Sequence, residues 1–342
     1  MGKTALCRFT QSISRNRSKN PGFGCCRSWR GSRSEVGIQK EEEESDMKRT
    51  MAAHAEAWLC LLLWGGTMVS TKILLGSVSP VLQLFLRFLI AYLTLRICYP
   101  QKLVLVDKKD ELYFFICGSV GITFNLVFQN MALQYTKATN ASVIIASAPM
   151  VTAVLVHLFT EEKQLHRNFV IGFILSMTGI VLVSTNGRGM SLELKGDLLV
   201  GCAALSWGIY SFTLRKIAKK NYDMLCCTRR IFFYGLLTMF PILPFVDCSI
   251  RPAGSSWIFI AVNLLYLGIF ASAFCYAVWN HVSGILGVVK TNVYLYALPL
   301  VTFLFAALIL KERVSAAGFC GIIFTIAGLI LSERKPGKGK VE

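Results

Sequence analysis

The sequence predicts an all-α integral membrane protein whose ten transmembrane helices form two inverted five-helix repeats. Three observations lead to this prediction. Of the 342 residues, 54% are hydrophobic and 16% are charged, whereas soluble domains carry about a quarter charged residues. From Ala57 onward, apolar runs close to the roughly 20 residues that cross a bilayer as a helix alternate with short charged segments. Residues of the same type also recur at a nearly constant separation in the two halves.

Ten apolar runs follow one another with short connections. The segment "GSVS" joins the first two runs, and "GILG" joins the eighth and ninth. Connections this short require neighbouring helices to run antiparallel. The spans are predicted at 57–75, 80–100, 111–133, 139–159, 168–185, 196–217, 225–246, 256–279, 286–309 and 315–332.

The two ends of the chain differ from its apolar body. Residues 1–34 contain no Asp or Glu and are rich in Arg and Ser, which predicts a disordered basic tail over 1–50. Two alternatives are a targeting segment, which shares this composition, and residues that precede a true start at Met47. The repeats are predicted over 57–185 and 196–332, followed by a basic cytoplasmic tail over 333–342.

The net charge of +17 is distributed as in a membrane protein. Basic residues concentrate in the tails and in the loops on one side of the predicted spans, and such an excess marks the cytoplasmic side. Both termini are therefore predicted to be cytoplasmic in the plasma membrane, with an organelle membrane as the alternative. No recognition pattern of basic and aromatic residues accompanies the charge, so nucleic acid is not expected as a partner. The expected partners are the lipid bilayer and a small-molecule substrate, and a homodimer is an open alternative.

The two halves of the chain contain matching residues. Trp64 and Gly65 correspond to Trp207 and Gly208 at a separation of 143 residues, and Arg87 corresponds to Arg230 at the same separation. At a separation of 150, the pairs are Asn130 with Asn280, Pro149 with Pro299 and Glu162 with Glu312. Because five spans are an odd number, the second repeat enters the membrane from the opposite side. Inverted repeats place a binding site near the membrane midplane, between the halves.

Three segments carry a resemblance to a known family: "AWLCLLLWGGTMVSTKIL", "TNASVIIASAPMVTAVLVHLFTEEK" and "YLYALPLVTFLFAALILKERVSAAGFCGIIFTIAGLIL". They resemble the EamA family of the drug/metabolite transporter superfamily, and the likeness covers about residues 57–332. Matching features are Trp-Gly in the first helix, Arg-Phe in the second, a proline along the fourth and a glycine-spaced last helix. The resemblance implies paired five-helix units and export of amino acids or related metabolites. These motifs are shared across the superfamily and do not specify a substrate.

Polar and aromatic residues inside the spans are candidates for a substrate site. Amide side chains are costly in lipid and face a partner helix or a cavity, so interhelix hydrogen bonding is the alternative role. Lys290 has no basic counterpart in the first half, and its charge suits a carboxylate or phosphate, with snorkelling to the cytoplasmic face as the alternative. The candidates are Trp64, Gln129, Asn130, Trp207, Tyr210, Tyr276, Trp279, Asn280, Lys290, Asn292 and Tyr294.

A second set of residues is predicted to be structural or to act in gating. No acid lies within a span, so a carboxylate relay for protons is not expected, and no acid is placed to pair with Arg87 or Arg230 at their depth. Glycine and hydroxyl positions at Gly172, Ser176 and Thr325 predict close helix packing. The structural or gating residues are Arg87, Arg230, Pro149, Pro299, Glu162 and Glu312.

Metal and enzyme chemistry are not predicted. No C-x-x-C spacing occurs among the 12 cysteines, and the four histidines are dispersed, so neither a metal site nor a cofactor is expected. No paired carboxylates or nucleophile motif lies in a span, so no catalytic residue is assigned. The predicted function is secondary transport of a small organic metabolite by alternating access, in the export direction. The alternatives are import or exchange of an anionic phosphorylated or nucleotide-linked metabolite, and a membrane receptor or assembly protein that transports nothing.

Overall fold

The computed structural model describes residues 28–132, 134–136, 141, 144–162, 165–185, 193–220, 222–251, 256–298, 300–301 and 316–334. These residues form helices and no strand, apart from an isolated antiparallel bridge between Val78 and Ile250. The fold is therefore all-helical, as predicted. By chain contacts the protein divides into two units, Met1–Met51 and Ala52–Glu342, and the candidate site lies in the second.

Ten helices account for the described residues. Helix α3 opens with a 3₁₀ turn, α7 closes with one, and α9 continues as a 3₁₀ turn over Tyr294–Ala297. The helices are α1 Ser28–Leu75, α2 Pro80–Cys98, α3 Lys108–Ala132, α4 Ala148–Phe159, α5 Arg167–Thr185, α6 Leu194–Ala218, α7 Met224–Phe245, α8 Trp257–Leu286, α9 Val288–Val293 and α10 Ala316–Glu333.

Five of these helices are long and apolar enough to cross a membrane, namely α2, α3, α6, α7 and α8. Helices α4, α5 and α10 contain shorter apolar stretches, over Ala148–Phe159, Arg167–Leu182 and Ala316–Ser332. The described residues thus contain five helices of spanning length where the sequence predicted ten spans. Residues 302–315, which include the last third of the predicted ninth span, lie outside the described residues.

Helix α1 begins at Ser28, inside the segment predicted to be a disordered tail. The segment around "EEEESDMKR" is rich in good helix formers, and Lys48 Nζ lies 2.8 Å from Glu44 Oε1, one helical turn earlier. Such pairs four residues apart stabilise a helix by a few tenths of a kcal/mol. The high helix propensity of these residues favours the helical conformation of this segment.

Local sequence signals explain several helix starts. Pro80 opens α2, where its missing N–H costs nothing. Asp223 caps α7, because its carboxylate accepts hydrogen bonds from the amides of Leu225 and Cys226 at 2.9 and 3.1 Å. Ser256 caps α8 through the amide of Phe259 at 3.2 Å. These side chains satisfy amides that the first helical turn leaves without partners.

Helices α5 and α10 pack closely through small residues. A Cβ atom added to Gly328 would lie 2.5 Å from the carbonyl oxygen of Gly172. Ser176 Oγ donates a hydrogen bond to the carbonyl oxygen of Thr325 at 3.4 Å. The predicted close packing at these small residues is confirmed, because only glycine lets the two backbones approach so closely.

Helices α3 and α8 each contain a π-helical stretch, Cys117–Phe124 in α3 and Tyr266–Phe274 in α8. The last residues of the two stretches, Phe124 and Phe274, are 150 residues apart in sequence. The same separation relates Asn130 to Asn280. Gly118 brings the first stretch against α7, and Gly268 brings the second against α2. π-helical segments inside α-helices are frequent at functional sites, and these two stretches flank the centre of the protein.

Helices α8 and α9 are joined by one residue, Gly287. Its φ angle is +85°, in the left-handed region that glycine adopts without a steric penalty. This turn directs α9 back along α8. It determines which side chains of α9 face the interior.

Candidate functional site

Aromatic side chains from three helices form a cluster at the centre, which we call the aromatic cluster. Trp64 of α1 meets Trp207 of α6 edge to face, with ring centroids 6.1 Å apart. The ring of Trp64 also lies 5.6 Å from Tyr276 and 4.9 Å from Trp279, both on α8. Tyr210 completes the cluster at 5.2 Å from Trp207. Tilted and edge-to-face pairs at these distances are favourable, so the five rings hold the helices together.

The indole N–H groups of Trp64 and Trp207 are hydrogen-bonded. Trp64 Nε1 donates to the carbonyl oxygen of Ala271, in the π-helical stretch of α8, at 2.8 Å. Trp207 Nε1 lies 3.3 Å from Asn292 Oδ1 on α9, and Asn292 Nδ2 donates to Thr152 Oγ1 on α4 at 2.9 Å. A buried amide with both its oxygen and its nitrogen bonded is well satisfied. This chain of bonds connects α6, α9 and α4.

A second chain of hydrogen bonds begins at Tyr210. Its hydroxyl donates to Asn280 Oδ1 on α8 at 2.6 Å, and Asn280 Nδ2 donates to Thr228 Oγ1 on α7 at 2.9 Å. Asn280 is 0% exposed. Four other candidates for the substrate site are buried as well, namely Tyr210, Tyr276, Trp279 and Asn292. The structure thus brings together seven of the predicted substrate-site residues: Trp64, Trp207, Tyr210, Tyr276, Trp279, Asn280 and Asn292.

Three amide side chains of α3 divide between two places. Asn125 Nδ2 donates to the carbonyl oxygen of Ala203 on α6 at 2.7 Å, and Gln129 Nε2 donates to Asn125 Oδ1 at 3.0 Å. Asn130 Nδ2 instead lies 3.4 Å from the carbonyl oxygen of Pro80, at the start of α2. Asn130 therefore bonds to a helix end, while its counterpart Asn280 bonds to side chains of the cluster.

Lys290 and Tyr294 do not join the aromatic cluster. Lys290 is exposed, while its neighbours Thr291 and Asn292 are buried, so its side chain points away from the centre. The Tyr294 hydroxyl forms a short hydrogen bond with His54 Nδ1, and its ring lies 5.8 Å from Trp58. Both partners are on α1, two to three turns before Trp64.

The two matched arginines have different surroundings. Arg87 is buried, and its Nε donates to Ser272 Oγ at 2.6 Å. Arg230 forms a salt bridge with Glu111, with 2.5 Å between Arg230 Nη2 and Glu111 Oε1. The prediction that no acid faces Arg230 is therefore wrong. Glu111 lies in the first turns of α3, and the packing of α7 against α3 brings it beside Arg230.

Ion pairs join helix ends on the side predicted to be cytoplasmic. Glu162, just after α4, pairs with Arg215 near the end of α6 and lies 3.5 Å from Lys219 Nζ. Asp110 pairs with Lys220 and accepts a hydrogen bond from the Tyr222 hydroxyl at 2.5 Å. The bond to Asp110 raises the pKa of Lys220, and burial together with the same carboxylate raises the pKa of Tyr222. Both side chains therefore remain protonated at neutral pH.

Three further residues were predicted to be structural or to act in gating, namely Pro149, Pro299 and Glu312. Pro149 is buried in the first turn of α4, where a proline is tolerated. Pro299 and Glu312 lie outside the described residues.

The centre is closed in this structure. Side chains fill the place between the halves where the sequence predicts a binding site: Tyr210 is 0% exposed, Trp279 is 1% exposed and Trp207 is 7% exposed. The reason is that the rings pack on one another and the amides are bonded to side chains. The filled space is nevertheless polar as well as aromatic, since it contains two amides and the hydroxyls of Thr152 and Thr228.

Three hydroxyl residues at the site were not predicted from the sequence: Thr152, Thr228 and Ser272. Each is buried and bonds to a predicted residue. The sequence offers only a weak signal for two of them: Thr152 lies one turn after Pro149, and Thr228 lies two residues before Arg230. Among the residues with described positions, no group of three or more His, Cys, Asp or Glu side chains suits a metal ion.

Comparisons with known proteins agree on one family. The model of the EamA-like transporter family matches residues 55–185 and again 194–334. A protein named as an uncharacterized transporter of Archaeoglobus fulgidus is 30% identical over 283 residues, which cover 81% of this chain and 96% of its own. A protein of Escherichia coli named "Probable amino-acid metabolite efflux pump" is 22% identical over 287 residues, covering 81% of this chain and 93% of its own.

A solved structure extends the likeness to the fold. A chain described only as the crystal structure of a protein superposes with a TM-score of 0.65 at 19% sequence identity. The match covers 83% of this chain and 96% of that chain. At this identity the match bears on the fold alone.

Proposed function

Since this chain belongs to the EamA-like transporter family, we propose that it exports amino acids or related metabolites by alternating access. It is an integral, multi-pass membrane transporter of a small-molecule substrate. The aromatic cluster, with the hydrogen bonds of Asn280 and Asn292 around it, is the observation that carries the proposal. Binding sites in transporters of repeated architecture lie near the midplane between the repeats.

The cluster is built from both halves of the chain. The first half contributes Trp64 of α1 and, through a hydrogen bond to Asn292, Thr152 of α4. The second half contributes the other rings, on α6 and α8, and the polar residues around them on α7, α8 and α9. The polar groups offer both donors and acceptors, which suits the carboxylate and ammonium groups of an amino acid. The indole faces suit the ammonium group and an apolar side chain. Opening of the cluster to one side of the membrane would expose these groups to a substrate.

Matching contacts support an arrangement as inverted repeats. Asn125 donates to the carbonyl oxygen of Ala203, and the positions that correspond to them are Cys275 and Cys60. Cys275 Sγ lies 4.0 Å from the carbonyl oxygen of Cys60. Gly118 and Gly268 correspond in the same way, and each packs a π-helical stretch against the equivalent helix of the other half. Equivalent positions therefore make equivalent contacts.

The closed centre supports a role for the ion pairs as a gate. Glu162 belongs to the first half and Arg215 to the second, so their pair joins the halves on the side predicted to be cytoplasmic. We take this side as cytoplasmic and the membrane as the plasma membrane. Opening the cluster toward the cytoplasm requires this pair to separate, while opening in the other direction leaves it intact.

The alternative of importing an anionic metabolite has less support. It depended on Lys290, which is exposed and points away from the aromatic cluster. Arg87 is buried on α2, and its Nε is bonded to Ser272. A zwitterionic substrate therefore fits the described residues better than a phosphorylated one.

The proposal is tested by efflux from liposomes. The purified protein is reconstituted into liposomes loaded with one labelled amino acid at a time, and efflux is compared with protein-free liposomes. We expect saturable efflux of one class of amino acid, reduced roughly tenfold by Asn292→Ala, because a hydrogen bond to a charged group contributes about 1.5 kcal/mol or more. The matched control is Asn263→Ala on α8, whose amide bonds only to its own helix at Phe259.

Efflux no faster than from protein-free liposomes for every amino acid would reject amino-acid export. Movement of a phosphorylated metabolite instead would favour the anionic alternative. Failure of both substrate classes would favour a receptor or assembly protein.

A further inference from the structure

A basic cleft lies away from the aromatic cluster, at the side predicted to be cytoplasmic. The cleft has a volume of about 280 Å³ and is bounded by the end of α2, the segment that follows it and the first turns of α7. Four cationic side chains and one carboxylate line it: Arg96, Lys102, Arg229, Arg230 and Glu111. A concave surface with an excess of one charge concentrates ions of the opposite sign.

The carboxylate does not neutralise the cleft. Glu111 forms its salt bridge with Arg230 and also accepts a hydrogen bond from Tyr234. In the part of the chain that the structure describes, Arg96, Lys102 and Arg229 form no salt bridge. Arg229 donates to the carbonyl oxygens of Tyr99 and Gln101, which holds its guanidinium in place without reducing its charge.

The positions of these cations suit a phosphate. Arg96 Nη1 donates to the carbonyl oxygen of Pro100 at 3.2 Å, which orients the side chain and leaves other N–H groups free for an anion. Guanidinium groups bind phosphate oxygens through paired N–H donors. The volume is slightly below the roughly 300 Å³ at which sites for drug-sized ligands begin, so it suits one phosphate group and its ester.

The surroundings of the cleft indicate a lipid. Tyr92 and Phe233 form part of its wall, and both lie on helices long and apolar enough to cross a membrane. Beside it, α2 exposes Leu93 and Ile97, which is 78% exposed. Basic pockets between transmembrane helices on the cytoplasmic side bind anionic headgroups. We propose that this cleft binds the phosphate of an anionic lipid headgroup, with the acyl chains along Leu93, Ile97 and Phe233.

The cleft and the aromatic cluster use different faces of α7. Thr228 faces the centre and accepts a hydrogen bond from Asn280, while the next two residues, Arg229 and Arg230, line the cleft. A headgroup in the cleft therefore binds beside the turn of α7 that holds Asn280, without entering the centre.

The test measures binding to the delipidated full-length protein in detergent by microscale thermophoresis. The probes are dioctanoyl phosphatidylglycerol, dioctanoyl phosphatidylcholine and glycerol 3-phosphate. The variant is Arg96→Gln with Lys102→Gln, which leaves the backbone-bonded Arg229 unchanged. The matched control is Lys108→Gln with Lys109→Gln, which removes two charges at the start of α3, outside the cleft. We expect the cleft variant to bind phosphatidylglycerol about tenfold or more weakly, since each cation contributes about fivefold, and the control to bind like wild type.

Each other outcome counts against a stated part of the proposal. Equal affinity of the two double variants would overturn the site. Equal binding of phosphatidylcholine and phosphatidylglycerol would overturn selectivity for an anion. Glycerol 3-phosphate that competes at the same concentration as phosphatidylglycerol would show a soluble phosphate source and overturn the lipid. If the double variant does not fold, the single variant Lys102→Gln, on an exposed side chain, gives the same comparison with about fivefold expected.

Discussion

Trp64 and Trp207 meet edge to face with an angle of 84° between their ring planes. The two residues occupy matching positions in the halves of the chain, 143 residues apart. Their contact is therefore a direct junction between the halves, at the centre where we propose that the substrate binds. Their hydrogen bonds differ, since Trp64 bonds to a backbone carbonyl of α8 and Trp207 to the side chain of Asn292. The matched pair thus has unequal surroundings, and substrate selectivity can arise from that difference.

Tyr210→Phe is predicted to lower stability. The substitution removes the hydroxyl that donates to Asn280 Oδ1 and leaves a fully buried acceptor without that donor. Loss of one partner in a buried hydrogen bond costs about 1–3 kcal/mol, which thermal unfolding in detergent will measure as a lower midpoint. Tyr135→Phe removes the same atom from an exposed tyrosine and is the control. An equal midpoint for the two variants would contradict the assigned bond.

Each single substitution at Glu162 or Arg215 is predicted to change the rate of transport. The double variant, in which the two charges are exchanged, is predicted to restore the wild-type rate. The pair joins α4 to α6, and Arg215 is only 12% exposed, so its coupling is expected near the upper end of the range of about 0.2–1 kcal/mol for exposed pairs. Initial efflux rates of Glu162→Arg, Arg215→Glu and the double exchange give the comparison. Glu193→Gln, on an exposed residue, is the control. Additive effects of the two single substitutions would exclude the gate.

Stability is predicted to fall in alkaline solution through Lys220. Asp110 raises the pKa of Lys220 in the folded protein above its unfolded value near 10.4. A raised pKa means that the contribution is complete below the unfolded pKa and is lost as the pH rises through the folded one. Unfolding midpoints above about pH 10 should therefore fall more steeply for wild type than for Lys220→Gln. Lys109→Gln, which removes an exposed charge, should follow wild type, and parallel curves for all three proteins would exclude the linkage.

Gly328→Ala is predicted to destabilise the contact of α5 with α10. The added methyl group would lie 2.5 Å from the carbonyl oxygen of Gly172, so the two backbones must move apart. Overpacking of this kind typically costs about 1–3 kcal/mol. Gly201→Ala on α6, where an added Cβ meets nothing within 4 Å, should instead be neutral or stabilise by up to about 1 kcal/mol. The thermal unfolding midpoints of the two variants give the comparison. A Gly201→Ala protein that is destabilised as much as Gly328→Ala would contradict the assignment of the effect to the contact of α5 with α10.

Much of the centre could be predicted from the sequence because it depends on local patterns. Trp207 and Tyr210 lie on one face of a single helix, as do Tyr276, Trp279 and Asn280, and residues three or four apart must share a face. The correspondence of Trp64 with Trp207 needed only their separation. The family followed from the same motifs.

The remaining features depend on contacts between distant segments. The pair of Arg230 with Glu111 requires the starts of α7 and α3 to lie together. The direction of Lys290 depends on the turn at Gly287. The closure of the centre depends on how five rings pack, and no local pattern specifies whether such rings enclose a cavity or fill it.

The central claim is that the aromatic cluster binds the exported metabolite. Its most direct test is equilibrium binding of the labelled amino acid that the efflux assay identifies, to purified wild type, Asn280→Ala and Asn263→Ala in detergent. We predict that Asn280→Ala binds at least about tenfold more weakly, the loss expected for one hydrogen bond to a charged group, and that Asn263→Ala binds like wild type. Equal affinity of all three proteins would contradict the claim.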